Sequence, residues 1–378
     1  MNLIRKRPVV FVAMSGGVDS STSALLLKQA GYEVVGVTFM LYESKTKGEG
    51  RTCCSAYDIG DAERVALKLK IPFYVMDMRE EFRKYIIDNF ISEYKAGRTP
   101  VPCVHCNNII KFDLFIRKAE LLGADFVATG HYALKKREKG INFISKSPSK
   151  KDQSYFLFGL KSYQIEKILF PVGGMEKDKV RKIAEDYELP TAKKPESQDI
   201  CFTEGKDWRD VIKSFGVKEK PGKIIDFESG AVIGTHPGYF FFTVGQRRGI
   251  GVARGRPLYV IHIDSENNII FVGDKKNLAI KEFYVENLSF VDEEIEKDFE
   301  KDYVRCVVKV RYTHEGSTAF VRKIGSMAHV IFEKEYGPVV PGQACVFYSE
   351  DKVIGGGFIA KPQKHIHITE SITSQLPK

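Results

Sequence analysis

A glycine turn between an apolar run and a helix is the feature that most constrains this chain. Residues 8–14 are typical of a buried parallel strand, and residues 21–30 have helical character with Gly31 placed to end the helix. The turn between them consists of Ser15, Gly16, Gly17, Val18, Asp19, Ser20 and Ser21. Unpaired N–H groups and the positive end of the helix dipole make such a turn an anion site.

The composition of the turn favours a phosphate as the anion. Gly16 and Gly17 let the backbone approach a phosphate closely, and the serine hydroxyls can donate hydrogen bonds to it. The turn lacks the Lys-Ser/Thr ending of a Walker P-loop, and no G-x-G-x-x-G follows the strand. A turn without a ligand is the alternative, which the complete heptapeptide between a strand and a helix disfavours.

The order of elements predicts an α/β fold with a doubly wound parallel sheet in residues 1–204. Further strands are predicted at 34–40, 73–76 and 125–129, and helices at 58–69, 80–96, 107–122, 155–169 and 176–187. Residues 205–279 are predicted to be a small central connector domain. Short alternating strands and glycine turns predict an antiparallel β-barrel or sandwich in residues 280–378.

Charge and hydropathy limit the classes of function. The net charge of +9 allows a polyanionic partner, although on its own it is a weak indication. No apolar run approaches the length of a membrane span, and the short run after the basic N-terminus reads as a strand and not as a signal peptide. We therefore expect a cytoplasmic protein whose seven cysteines are reduced, catalytic or metal-bound.

The cysteines at 103 and 106 stand in the most suggestive context. Pro100 and Pro102 disfavour helix, so Cys103 and Cys106 are expected in a loop that leads to a helix N-terminus. A thiol at that position has a lowered pKa. Cys201 follows a polar stretch and is a third candidate.

The other cysteines give weaker indications, and the C-x-x-C pair at 103 and 106 has other interpretations. Cys306 and Cys345 lie in predicted strands and are expected in the core, and the Cys53–Cys54 pair has a less suggestive context. A C-x-x-C pair can also be half of a zinc site, but a partner pair is missing. A thioredoxin-like redox pair and a purely structural role are further alternatives.

Several sequence blocks occur in a characteristic order along the whole chain. They are the turn at 15–21, 97–100 (GRTP), 106–107 (CN), 110–112 (IKF), 128–132 (ATGHY), 151–157 (KDQSYFL), 197–202 (SQDICF), 243–249 (TVGQRRG) and 341–343 (PGQ). Together they resemble the tRNA-specific 2-thiouridylase family (MnmA, also called TrmU) of the PP-loop ATP pyrophosphatase superfamily. The turn at 15–21 then corresponds to the pyrophosphate loop.

The resemblance implies an ATP-dependent tRNA sulfurtransferase. In this family, O2 of the wobble base uridine 34 attacks the α phosphate of ATP, pyrophosphate departs, and the adenylated base accepts sulfur at C2 with release of AMP. The implied cofactors are ATP and Mg²⁺, with Asp19 oriented toward the metal. The implied partners are the lysine, glutamate and glutamine tRNAs and a sulfur donor, which is a cysteine desulfurase, a sulfur relay protein or free sulfide.

The resemblance also assigns residues to the two substrates. The nucleotide site implied by the resemblance comprises Ala13, Met14, Ser15, Gly16, Gly17, Val18, Asp19, Ser20, Ser21, Met40 and Gly130. The implied tRNA contacts are Val101, Pro102, Cys103, His131, Lys151, Asp152, Gln153, Arg311, Tyr312 and Gln343.

Two routes for sulfur stay open at the level of sequence. Cys106 matches the family's nucleophile and Cys201 its persulfide carrier, with Cys106 resolving the exchange through a disulfide. Cys103 stands where many members have aspartate. Three thiolates at Cys103, Cys106 and Cys201 are enough to hold a [4Fe–4S] cluster with one open iron, which related tRNA thiolases use to bind hydrosulfide.

Two other functions would place different demands on the cysteines and on the loop at 15–21. Another PP-loop enzyme, such as a tRNA lysidine synthetase or an amidotransferase synthetase, would tolerate serine at Cys106 and Cys201. An RNA-binding regulator on a degenerate nucleotide fold would bind tRNA without turning ATP over to AMP, and the intact loop with Asp19 argues against it.

Overall fold

The computed structural model describes residues 7–42, 56–195, 200–203, 205–252 and 254–362. Cys53, Cys54 and residues 197–199 of the predicted 197–202 motif lie outside the described residues. Within the described part of the chain, no helix combines the length and the apolar character that crossing a membrane requires.

The N-terminal part is built on a parallel sheet. Its elements in chain order are β1 Val9–Ala13, α1 Val18–Gln29, β2 Glu33–Met40, α2 Ala56–Leu69, β3 Phe73–Asp77, α3 Arg79–Phe82, α4 Asp88–Lys95, α5 Pro102–His105, α6 Phe115–Leu121, β4 Phe126–Ala128, β5 Ala133–Glu138, β6 Ile141–Lys146, α7 Ser162–Glu166, β7 Ile168–Leu169 and α8 Lys177–Asp186. Five described strands pair in parallel in the order β3-β2-β1-β4-β7. The predicted doubly wound α/β fold is confirmed.

Alternating residues of β1 face two separate cores. Val10 and Val12 pack with α1, α2 and α8 on one face of the sheet, whereas Phe11 packs with the helices between residues 79 and 121 on the other. This alternation follows from the two-residue repeat of a strand. Both faces of the sheet are therefore covered by helices, as a parallel sheet requires.

The strand order also fixes where a ligand binds. After β3 the chain crosses to the opposite side of β1, so the sheet changes direction between β1 and β4. The carboxyl ends of two strands at such a switch point leave a crevice between the loops that follow them. The turn at 15–21 follows β1, and residues 129–131 follow β4.

Several predicted elements differ from the structure. The helix predicted at 155–169 is a 3₁₀ turn, Ser154–Leu157, followed by α7 and β7, and the β5–β6 hairpin was not predicted. The helices predicted at 80–96 and 107–122 both contain π-helical stretches, at Arg83–Ile87 and Cys106–Leu114. Helix propensity is a weak guide in such regions, because tertiary packing routinely overrides it.

The rest of the chain forms two β structures. The middle elements are α9 Trp208–Ser214, β8 Gly222–Asp226, β9 Val232–His236, β10 Tyr259–Asp264 and β11 Ile269–Gly273, and the last are β12 Ile280–Phe290, α10 Glu293–Lys301, β13 Val304–Lys309, β14 Ser317–Ile324, β15 Met327–Tyr336, β16 Ala344–Ser349 and β17 Lys352–Ile359. The middle strands pair in the order β10-β11-β8-β9. The six strands β12–β17 close into an antiparallel barrel through the pairing of β12 with β17, so a barrel and not a sandwich forms.

The β5–β6 hairpin joins the sheet of the barrel although it belongs to the N-terminal part of the chain. Ser145 of β6 pairs with Lys352 of β17, and the Ser145 hydroxyl donates to the carboxylate of Asp351 at 2.6 Å. The backbone N–H of Lys146 donates to the carbonyl of Asp351 at 2.8 Å. The first and last parts of the chain thus share one sheet.

Candidate functional site

A cavity of about 430 Å³ occupies the crevice at the sheet's switch point. The predicted site residues that line it are Ala13, Met14, Ser15, Gly17, Val18, Asp19, Ser20, Pro102, Cys103, Cys106, Gly130, His131, Lys151, Gln153 and Cys201. Residues assigned to the nucleotide, to sulfur transfer and to tRNA therefore share one space. The predicted residues that do not line it are Gly16, Ser21, Met40, Val101, Asp152, Arg311, Tyr312 and Gln343.

The turn at 15–21 is held by its own hydrogen bonds. Helix α1 begins at Val18, three residues earlier than predicted, with Gly17 as its N-cap. The hydroxyls of Ser20 and Ser21 both donate to the carbonyl oxygen of Gly17, at 3.1 and 2.9 Å. These two hydroxyls were predicted to donate to the phosphate, whereas in the structure they fix the shape of the loop. The first N–H groups of α1, which lack intrahelical partners, are the donors that remain for an anion.

Two glycines show how tightly the loop is packed. Gly16 has φ +68, and a Cβ on it would lie 2.3 Å from the carbonyl oxygen of Asp58. A Cβ on Gly130 would lie 2.7 Å from the backbone nitrogen of Ser20. The loop is thus fixed from one side by α2 and from the other by the end of β4.

Asp19 forms an ion pair that the sequence did not predict. The Lys177 ammonium lies 2.6 and 2.7 Å from the two carboxylate oxygens, and the Tyr132 hydroxyl donates to one of them at 2.7 Å. Lys177 is only 8% exposed. Both oxygens of Asp19 therefore contact Lys177, and the role of Asp19 toward Mg²⁺ stays a prediction.

One local signal could have identified Lys177. It is the first residue of α8, where the positive end of the helix dipole disfavours a cation. A buried lysine at that position needs a carboxylate partner to offset the unfavourable burial. Lys111 and Lys194 also line the cavity and were not predicted as site residues.

Cys103 and Cys106 lie in a helix and not in the predicted loop. Helix α5 begins at Pro102, which is tolerated because the first N–H of a helix has no partner within it. Cys103 lies in the first turn and is exposed, whereas Cys106 begins the π-helical stretch and is 8% exposed. π-Helical segments are rare and are frequent at functional sites. His105 between them stacks on Phe358 of the barrel, with ring centroids 4.7 Å apart.

Cys201 reaches the same cavity from the segment after α8. Its carbonyl oxygen accepts a hydrogen bond of 2.7 Å from the Tyr42 hydroxyl. Among the described residues, no three His, Cys, Asp or Glu side chains are placed to hold one metal ion. The three cysteines share one cavity, and a [4Fe–4S] site, in which each thiolate would bind a different iron, stays a prediction.

The structure confirms the prediction that Cys306 and Cys345 lie in the core. Both are buried in the barrel. Burial raises the pKa of Cys306 to about 12 and that of Cys345 well above its ordinary value. Their thiols therefore stay protonated at neutral pH.

The segment before α5 is held by the other two parts of the chain. The Gln343 side-chain amide donates to the carbonyl oxygen of Thr99 at 3.1 Å, and the Thr99 N–H donates to the carbonyl oxygen of Pro341 at 2.8 Å. The hydroxyls of Thr99 and Thr243 lie 3.4 Å apart. Gln343 was predicted to contact tRNA. In the structure its side chain binds the backbone of the segment that leads to Cys103.

The predicted tRNA residues after β4 differ in their surroundings. The Nδ1 atom of His131 lies 2.8 Å from the Thr129 hydroxyl, and desolvation together with the nearby Lys111 charge holds the pKa of His131 well below its ordinary value. The Gln153 side chain accepts from the Tyr132 N–H at 3.0 Å.

Asp152 has a structural role within its own turn. Its carboxylate accepts from the N–H groups of Ser147 and Ser154, at 3.0 and 3.2 Å.

Arg311 and Tyr312 follow strand β13 of the barrel. Arg311 donates to the Tyr336 hydroxyl at 2.9 Å. The ring of Tyr312 lies 4.8 Å from that of Phe156, which lines the cavity. The assignment of these residues to tRNA stays a prediction.

Family comparisons agree with this geometry. Residues 8–205 match the tRNA methyl transferase HUP domain, residues 209–274 the tRNA methyl transferase PRC-barrel domain, and residues 280–359 the aminomethyltransferase β-barrel domain. Among solved structures, a 4-thiouridine synthetase–RNA complex with bound ATP has 14% identity and a TM-score of 0.32, over 55% of this chain and 50% of that chain. That similarity is too weak to bear on function.

Curated relatives are similar over nearly the full length. A tRNA-specific 2-thiouridylase MnmA of Rickettsia conorii is 42% identical over 365 residues, which cover 96% of this chain and 98% of the relative. A tRNA-specific 2-thiouridylase MnmA 2 of Caldanaerobacter subterraneus is 41% identical, covering 95% of this chain and 99% of the relative. The chain therefore belongs to the tRNA-specific 2-thiouridylase MnmA family, a family of sulfurtransferases.

Proposed function

We propose that this tRNA-thiolating enzyme uses ATP to activate O2 of uridine 34 and then places sulfur at C2. The observation that carries the proposal is the single cavity lined by the pyrophosphate loop and by Cys103, Cys106 and Cys201. An anion site next to thiols provides for both half-reactions, since the adenylated base need not leave the cavity before sulfur reaches it.

The first half-reaction exchanges one P–O bond for another. O2 of the uracil attacks the α phosphorus, and the bond between the α phosphorus and the bridging oxygen breaks with its electron pair going to pyrophosphate. The N–H groups at the start of α1, which lack intrahelical partners, support binding of the phosphate oxygens there. ATP supplies the adenylyl group, and Asp19, in the first turn of α1, forms an ion pair with Lys177.

The second half-reaction uses the two less exposed thiols. A persulfide on Cys201 attacks C2 through its outer sulfur, and AMP leaves with the former O2. The Cys106 thiolate then attacks the inner sulfur of Cys201, the S–S bond to the base breaks, and its electron pair stays on the base sulfur as the thiocarbonyl forms. Cys106 and Cys201 end as a disulfide, which a thiol reductant must reduce before the next turnover.

The partners and the domain limits are part of the same proposal. The substrates are the lysine, glutamate and glutamine tRNAs, and the outer sulfur is transferred as sulfane sulfur from the persulfide of a cysteine desulfurase or of a relay protein. Free sulfide would serve only the alternative route through a cluster, because it cannot form a persulfide without an oxidant. The chain divides into a catalytic domain at 1–204, a connector at 205–279 and a barrel at 280–378. The net charge of +9 supports a polyanionic substrate.

The test separates the two half-reactions. The enzyme is incubated with tRNA, ATP and a sulfur source, pyrophosphate is measured, and uridine 34 is analysed by mass spectrometry. Cys106→Ser and Cys201→Ser are expected to retain pyrophosphate release and to lose 2-thiouridine, with Cys306→Ser as the control in the barrel core. Full 2-thiouridine formation by both active-site variants would contradict the sulfur route, and none from the unaltered enzyme would contradict the function.

A further inference from the structure

Helix α5 contacts the barrel both before its start and at its end. Before the helix, the Gln343 side-chain amide donates to the carbonyl oxygens of Thr99 and Pro100, at 3.1 and 3.4 Å. At the last residue of the helix, the His105 ring stacks on Phe358, with centroids 4.7 Å apart and an angle of 4° between the ring planes. The barrel therefore holds α5 from both ends.

The two contacts come from neighbouring parts of the barrel. The Gly342 N–H donates to the carbonyl oxygen of Ile359, and the Ile359 N–H donates to that of Gln343, both at 2.8 Å. Phe358 precedes Ile359 in β17, and its ring packs edge-on against Phe158, with centroids 5.9 Å apart. Backbone hydrogen bonds thus join the turn before β16 to the end of β17, and α5 is held from a common base.

Cys106 directly follows the stacked ring. Its N–H donates to the carbonyl oxygens of Pro102 and Cys103, the last hydrogen bonds of α5, and the π-helical stretch begins at Cys106 itself. π-Helical stretches are rare, and most helical stability in proteins comes from tertiary packing. A contact between His105 and the barrel at this junction therefore bears directly on how Cys106 is held.

The His105 ring stacks in its uncharged form. Burial lowers the pKa of His105, and the charge of Glu93, which acts in the opposite direction, does not outweigh burial. The ring is therefore neutral at and above pH 7. The free energy of an aromatic ring pair corresponds to about 2- to 10-fold in the equilibrium between a held and a released helix.

We infer that His105 is a positioning residue that fixes Cys106 against the barrel for sulfur transfer. The role rests on the proposed function, in which the Cys106 thiolate attacks the inner sulfur of Cys201. An attacking thiolate must be aligned with the bond that it breaks, and a displacement of about 1 Å can lower the rate by about 100-fold. Without the stack, α5 keeps its contact before Cys103 but loses the one beside the nucleophile.

The experiment compares His105→Leu with its matched control His105→Phe in the full-length enzyme. Leucine keeps an apolar side chain and helix propensity but has no ring, whereas phenylalanine keeps a flat, neutral ring. Phe358→Leu removes the other ring, and the double variant His105→Leu/Phe358→Leu completes a double-mutant cycle. Each variant is assayed for 2-thiouridine formation and for the rate at which iodoacetamide alkylates Cys106, followed by tandem mass spectrometry.

Two other thiols of the same chain are internal references. Cys103 is exposed and reports the reactivity of the reagent, whereas Cys345 is 0% exposed in the barrel core and reports general unfolding. A buried thiol reacts through local opening, so the alkylation rate of Cys106 follows the opening equilibrium of its helix.

We expect His105→Leu and Phe358→Leu each to raise alkylation of Cys106 relative to Cys103 by about 2- to 10-fold. Formation of 2-thiouridine should fall by about 10-fold or more in both variants. The double variant should show little further change, because either substitution alone removes the stack. His105→Phe should resemble the unaltered enzyme in both assays.

Unchanged alkylation of Cys106 or unchanged 2-thiouridine formation in His105→Leu would overturn the inference. Additive effects in the double variant, or an equal loss in His105→Phe, would overturn it as well, because the ring stack would then not be the cause. Faster alkylation of Cys345 would indicate general unfolding and would also count against it. If the unaltered enzyme forms no 2-thiouridine, the proposed function fails, and the alkylation rates alone decide whether His105 fixes Cys106.

Discussion

The contact between Gly16 and α2 yields a prediction with an internal control. An alanine at residue 16 would have to accept φ +68, which costs about 1–2 kcal/mol for a non-glycine residue. Its Cβ would also lie 2.3 Å from the Asp58 carbonyl oxygen, whereas ordinary contacts begin at 3.4 Å. The loop and the helix must therefore separate by about 1 Å, a displacement that can cost about 100-fold in rate.

Gly31 provides the matched control. It has φ +88 at the end of α1, and an added Cβ would meet nothing within 4 Å. Gly31→Ala and Gly16→Ala thus share the conformational cost, but only Gly16→Ala displaces the pyrophosphate loop.

The assay is pyrophosphate release at a range of ATP concentrations, with urea denaturation of each variant. We expect Gly31→Ala to keep kcat/KM for ATP within about threefold, and Gly16→Ala to lose about 100-fold. Equal kcat/KM values for the two variants would refute the argument, because the steric contact would then have no effect on the loop.

Three further predictions concern the sulfur route, the Lys177–Asp19 ion pair and the titration of His314. Cys103→Asp should retain 2-thiouridine formation within about threefold if Cys106 and Cys201 carry the sulfur. Loss of 2-thiouridine formation in this variant, together with iron in the anaerobically purified unaltered enzyme, would favour a cluster. Lys177→Gln leaves the Asp19 carboxylate without its cation and should lower the free energy of unfolding by about 1–3 kcal/mol, with Asp19→Asn in the same chain recovering part of it in a double-mutant cycle. Burial and the charges of Arg311 and Lys309 lower the pKa of His314 to about 4. As the pH falls, His314 is therefore protonated in the unfolded chain before it is protonated in the folded chain, and the free energy of unfolding decreases between about pH 6.5 and about pH 4. In urea denaturation at pH 7 and pH 5, the His314→Gln variant should show a smaller decrease of the midpoint than the unaltered enzyme. An unchanged pH dependence in that variant would contradict the assignment.

The sequence predicted the parts of the site that depend on short contiguous stretches. The turn at 15–21, the strand before it and the α/β alternation follow from local periodicity and glycine placement, and all three are present. Cys106 and Cys201 were assigned from motifs that the family shares, and they line one cavity.

Pairings between distant elements could not be predicted in the same way. Lys177 and Asp19 are 158 residues apart, and Lys194 and Asp58 are 136 apart. Whether such side chains meet depends on how α1, α2 and α8 pack on the sheet and on the path of the chain after α8, which no local pattern specifies. The helix start at Pro102 was missed for a different reason, since proline both breaks a helix and suits its first position.

The shared sheet of β6 and β17 limits how this enzyme can be taken apart. A fragment that ends at residue 204 would keep the β5–β6 hairpin but lose the strand beside it, leaving the backbone groups of β6 at an open edge. Such an edge invites pairing with other copies, so we expect the isolated catalytic half to aggregate. Studies of adenylation alone are therefore better made with point variants of the whole chain than with truncations.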